Sequence, residues 1–157
     1  MSRALQISIE RWKTLAEGVG KQAGEVQRAL TQVRAQHSNL CAEQEKIRLM
    51  KQGYFEQLKE AEHSQDDLQQ STQLRRFMGQ LDLTTRAITD QMADLQRQQR
   101  TIAARLRELN SERIKFETLA DRARTQLKQT AQKKEQKDSD ALNAQRFAIK
   151  LNQRPSS

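Results

Sequence analysis

Few residues of this chain have types that would suit chemistry: His37 and His63 as bases or metal ligands, Cys41 as a nucleophile, the neighbours Asp66 and Asp67 as ligands, and Gly18-x-Gly20 as a phosphate cradle. None has the company its chemistry needs. The two histidines stand 26 positions apart with no partner at ligand spacing and no convergent acid, base and nucleophile around either. A single cysteine excludes an intrachain disulfide and a cysteine-rich metal site, and Cys41 reads as a small packing residue, buried or half-buried. No strand precedes Gly18-x-Gly20, and the third glycine of a phosphate loop is missing. Asp66-Asp67 reads as a cap and corner. The sequence therefore predicts no catalytic residue, no cofactor and no metal, and the chain is not expected to be an enzyme.

The elements explain this poverty. Of 157 residues, 35% are hydrophobic, 4% aromatic and 31% charged, against roughly 45–50% apolar, glycine included, in an ordinary globular domain. Good helix formers dominate, and the one proline, Pro155, is the third residue from the end. So few apolar residues cannot fill a wide core, but they fill a narrow seam between two helices. The fold class expected is all-α: two long helices in an antiparallel coiled-coil hairpin, a thin rod with no pocket.

Apolar residues recur at alternating steps of three and four. The first run reads Trp12, Leu15, Val19, Gln22, Val26, Leu30, Val33, His37, Leu40, Gln44, Ile47, Lys51, Tyr54 and Leu58, with a stutter at Val26. The second reads Leu74, Phe77, Leu81, Thr84, Ile88, Met92, Leu95, Gln99, Ile102, Leu106, Leu109, Arg113, Phe116, Ala120, Ala123 and Leu127, after which the sequence turns polar. Gly18, Gly20 and Gly24 would fray or bend the start. Between them Ser64, Asp66, Asp67, Ser71 and Thr72 favour caps and turns. The organisation expected is one hairpin over 1–152, with helix 1 about 5–62, a corner about 63–72, helix 2 about 73–148 and a disordered tail at 153–157. Folding about Asp67 sets Trp12 opposite roughly Arg122, and helix 2 outruns helix 1 by about 25 Å at 1.5 Å per residue.

The net charge is +8, which raises nucleic acid as a partner. Basic and acidic residues are interspersed, however, and no aromatics interleave with Arg97, Arg100, Arg105 and Arg107 to stack on bases. An acidic protein surface suits this charge better than nucleic acid. Glu10 and Arg11 interrupt any signal-like stretch at the start, and no run reaches the length of a membrane span, so a cytoplasmic protein is expected.

One feature exceeds what a two-helix seam can bury. Ile47, Leu49, Met50, Tyr54, Phe55 and Leu58 lead into the corner, and Leu74, Phe77, Met78, Leu81 and Leu83 lead out of it. A seam takes about two residues per heptad from each helix, so the surplus makes either a thicker, better-packed end of the hairpin or, the favoured reading, an exposed patch that marks a protein-binding surface. The mixed charge of Lys133-Lys134-x2-Lys137 reads by default as a solvated helix end, and its projection beyond helix 1 also suits an insertion element.

The chain resembles the FliJ family of flagellar type III export proteins, whose injectisome counterparts are the SctO/YscO stalk proteins. Tyr54-x3-Leu58, Arg76-Phe77-x3-Leu81-Asp82 and the ending Lys134-Glu135-Gln136-Lys137-x2-Asp140-x3-Ala144-x2-Phe147 carry the resemblance. It implies a cytoplasmic stalk at the inner membrane, reaching that membrane only indirectly. The joined terminal end would enter a hexameric export ATPase ring, and the corner end would meet the cytoplasmic region of the export gate. Two family surface sets fall on Glu43, Ile47, Met50 and Tyr54, and on Phe77, Leu81, Thr84 and Ile88; of these Tyr54, Phe77 and Leu81 are identical to the family pattern. The gate-binding candidates are thus Ile47, Met50, Tyr54, Phe77, Leu81, Thr84 and Ile88. The ring-binding candidates are Trp12, Arg122, Arg124, Lys133, Lys134 and Lys137. Export chaperones are further candidate partners, the isolated chain is expected to be a monomer, and an injectisome stalk or a generic coiled-coil adaptor are the alternatives.

Overall fold

The computed structural model describes residues 2–63 and 68–153. Among these there are two helices and no strand: α1, Ser2–His63, and α2, Leu68–Asn152. They pair antiparallel as a coiled-coil hairpin. The corner residues Ser64, Asp66 and Asp67, and the tail from 154 onward, lie outside the described residues.

Both helices run through positions where the sequence suggested interruption. α2 begins at Leu68, so Ser71 and Thr72 belong to its first turns and not to a corner. The Thr72 hydroxyl donates to the Leu68 carbonyl at 2.7 Å, and the half-buried Ser71 faces inward. Thr31, Thr84, Thr85, Thr89 and Thr118 bond the carbonyl four residues back in the same way. A hydroxyl satisfied inside the helix no longer competes with it. The expected fraying at Gly18, Gly20 and Gly24 is likewise absent: α1 is continuous through all three, and no described glycine has a positive φ. Each still costs about 1 kcal/mol relative to alanine, which the packing of a long helix offsets.

The inward-facing positions differ in detail from the sequence reading. Ala16 and Ala23 are buried at 8% and 5% exposure, while Leu15 is 42% exposed and Gln22 is exposed too. Inward residues on α1 therefore run 12, 16, 19, 23, 26, 30, 33, 37 in alternating steps of four and three. The stutter at Val26 disappears. On α2, Met78 and Thr85 face inward in place of Phe77 and Thr84. Weighting by side-chain size chose the larger neighbour; an unbroken heptad chose the smaller.

The chain forms two compact units. The first joins Met1–Gln22 to Glu108–Ser157, and the second is Ala23–Arg107. In the first, Ala16, Leu109, Ala120 and Ala123 are buried, Leu109 to 1% exposure. Gly20 also lies on this seam, where a Cβ would stand 3.7 Å from Arg113 Cδ. Trp12 stacks on Phe116 with ring centroids 5.9 Å apart and an 18° interplanar angle. Its ring reaches back to Phe116, while the pairing of Gly20 with Arg113 keeps its backbone level with about Asp121, close to the Arg122 that counting from the corner expects. In the second unit, Ala23, Leu30, Val33, Leu81 and Ile88 are buried. Here the half-buried polar seam positions of α1 reach exposed polar residues of α2 that border the seam. His37 meets Gln96 at 3.4 Å, Gln44 donates to Thr89 at 3.3 Å, and Lys51 pairs with Asp82. Each step of seven along α1 is matched by seven backward along α2, the signature of an antiparallel heptad register.

Candidate protein-interaction surfaces

Tyr54 is the centre of the surface near the corner. It is half-buried, and its ring meets Phe77 edge-on, with centroids 5.1 Å apart and 74° between planes. That geometry favours the positive ring edge of one against the negative face of the other. Phe77 stays 39% exposed and Met50, one turn before Tyr54, 42% exposed. Thr84, two turns after Phe77, is exposed, its hydroxyl bonded to the Gln80 carbonyl at 3.0 Å. Four residues drawn from both helices thus make one apolar edge beside the seam. Ile47 is half-buried beneath it.

Leu81 and Ile88 do not join this edge. They are buried at 9% and 6% exposure and belong to the seam. Of the seven gate candidates, then, three are exposed, Tyr54 and Ile47 are available in part, and two hold the helices together.

The remaining apolar residues of the region are exposed but point elsewhere. Leu49 and Leu83 each follow an inward residue by two positions, which turns them to the outer faces at about 100° per residue. Phe55, 48% exposed, lies on the flank away from Met50 under the Lys59 ammonium, 5.0 Å from its ring centroid. Such a contact shields one ring face from water. Leu68 is 90% exposed.

In the unit with both terminal segments, Trp12 is half-buried against Phe116 and Arg122 is exposed. Arg124 pairs with Asp121 at 3.0 Å, and Lys133, Lys134 and Lys137 are fully on the surface. The expectation of no pocket needs correction here. The small residues Ala16, Gly20 and Ala120 leave a groove of about 470 Å³ flanked by Lys13, Glu17, Arg113, Glu117, Asp121 and Arg124. Its charges balance, three basic against three acidic, so it selects no ion. Arg113 Nε within it is 3.9 Å from Glu117 Oε1, beyond hydrogen-bond reach, and has no bonded partner.

Two sequence expectations change. Cys41 is exposed, one position past the seam residue Leu40, with Sγ 3.7 Å from His37 Nδ1. The end of α2 is not simply polar: Leu142, Phe147, Ile149 and Leu151 are 51–66% exposed. Interspersed lysines and glutamines hid them from a count over the whole stretch. Among the described residues no group of three or more His, Cys, Asp and Glu could hold a metal, and no helix is long and apolar enough to cross a membrane.

The FliJ family model, described as flagellar FliJ protein, matches residues 10–152. This chain belongs to the FliJ family. The match spans both helices almost end to end and makes the chain a component associated with flagellar, type III protein export. No curated protein and no solved structure matches it.

Proposed function

We propose that this FliJ-family chain is a non-enzymatic cytoplasmic stalk linking the export gate to the export ATPase. The edge formed by Met50, Tyr54, Phe77 and Thr84 takes the cytoplasmic region of the gate. The exposed cations Arg122, Lys133, Lys134 and Lys137 of the other unit favour an acidic interior of the hexameric ATPase ring, by complementarity of potential. Export chaperones are further partners of these surfaces. The chain reaches the membrane only through the gate and is a monomer in isolation.

The observation that carries the reading is the Tyr54–Phe77 pair, an aromatic contact left partly open to solvent and flanked by exposed Met50. Aromatic anchors of this kind carry most of the energy of protein interfaces. The test is capture of the full chain by the gate's purified cytoplasmic region. Met50→Ala with Phe77→Ala should weaken capture by at least about tenfold, a loss of about 1.4 kcal/mol, while circular dichroism stays helical. Capture at wild-type strength by that double variant would rule this surface out. Leu81→Ala separates the effects, because it acts through the seam: it lowers the melting temperature and leaves capture of the still-folded protein intact.

A further inference from the structure

The inward positions of α2 fall at 109, 113, 116, 120, 123 and 127. Continued in the same alternating steps, the series reaches Thr130, Lys134, Lys137, Ala141, Ala144, Ala148 and Leu151. These seven lie within an arc of about 100° on the helix, in phase with the seam that α1 covers. Here no described residue covers them: every position from 128 to 153 is exposed. The residue types also repeat. Ala120 and Ala123 are buried on the seam at 3% and 8% exposure, opposite Ala16 and Gly20, and Ala141, Ala144 and Ala148 recur at the same spacing.

We infer that this stripe is half of a second coiled coil, completed by a helix from a partner protein that runs antiparallel to α2, as α1 does. Three observations specify that helix. The small residues at 141, 144 and 148 admit a close approach, so its facing positions are small or medium apolar ones. Phe147, 66% exposed, borders the stripe and demands an apolar flank. The lysines at 134 and 137 occupy seam positions, and the seam lysine of α1 among the described residues, Lys51, takes an aspartate, Asp82, from α2. The partner helix therefore carries carboxylates opposite Lys134 and Lys137. A second copy of this chain is the poorer occupant. Residues 128–153 hold six lysines and arginines against three acids, a net +3 that two tails would bring together.

This inference rests on the reading of the terminal segments as a docking end, and it names the kind of element docked there. The test places p-benzoylphenylalanine at Ala144, Ala148, Ser139 or Asn143 in the full chain, in cells that carry it, and maps photo-crosslinks by mass spectrometry. Ala144 and Ala148 should crosslink to one acidic helical segment, with the link from Ala148 nearer its N-terminus than that from Ala144. Ser139 and Asn143, on the opposite face, should give at least about fivefold less product. Lys134→Glu with Lys137→Glu should cut the Ala144 product by a similar factor without loss of helicity. Products linking two copies of this chain would overturn the inference, as would equal yields from both faces, a parallel order of links, or no product. Links to the export ATPase from both faces equally would sink the inference and keep the docking reading; face-specific links to an acidic helix of some other protein would do the reverse.

Discussion

The two units solve the same packing problem by different means. Around Leu109, Ala120 and Ala123 the seam is built from small residues, one fully buried leucine and a Trp12–Phe116 stack. The other unit buries apolar residues too, Leu30, Val33, Leu81 and Ile88 among them, and adds around His37, Gln44 and Lys51 a set of polar pairs repeated every seven residues. The first arrangement stabilises by excluding water from apolar surface. The polar pairs add little net energy but penalise slippage, since a register shift would leave half-buried polar groups without partners. Near the corner the seam residues are less deeply buried, and their aromatic neighbours remain at the surface for another protein.

The comparison can be broken most directly at the core. Leu109→Ala removes the most deeply buried side chain and should cost toward the upper end of the ~2–5 kcal/mol typical of such truncations. Leu81→Ala, at 9% exposure in the other unit, should cost nearer the lower end. Urea melts followed by circular dichroism measure both, and equal losses would show that the two seams are packed alike.

Glycines probe whether the helices themselves differ. A Cβ at Gly18 in one unit or Gly79 in the other meets nothing within 4 Å. Gly18→Ala and Gly79→Ala should each add about 1 kcal/mol, and by the same amount, because both act through helix propensity alone. A clear inequality in the melting curves would place the difference between the units in the helices and not in the seam.

The smallest effect is expected at the polar layer. A double-mutant cycle of Lys51→Met and Asp82→Ala should give a coupling of about 0.2–1 kcal/mol that shrinks with added salt, since Asp82 is 59% exposed. A coupling well above that range, unmoved by salt, would mean that the polar column carries stability as well as register.

Much of the fold was legible because a heptad is a local pattern. Leu30, Val33, Leu109 and Ala120 declare an inward face by spacing alone, and the scarcity of aromatics and proline leaves nothing but long helices. What stayed hidden turned on choices between adjacent residues. Leu15 against Ala16, and Phe77 against Met78, differ by one position, or about 100° of rotation. Size favoured the outer member of each pair and close packing the inner one. The surface set was legible only in part for the same reason: Tyr54 and Phe77 were found as a cluster, but spacing could not tell that Leu81 and Ile88 are consumed by the seam.

The sequence by itself determined that this chain forms two amphipathic helices that must meet along one face, and it carried the family membership in residues spread over both. Tertiary structure decided the register. It set His37 on Gln96 and Lys51 on Asp82, absorbed Ser71 and Thr72 into α2, and left the stripe from Lys134 to Leu151 without a cover. The physical reason is that periodicity fixes which face of a helix is apolar, while only a second helix in place fixes which residues on that face lose their water.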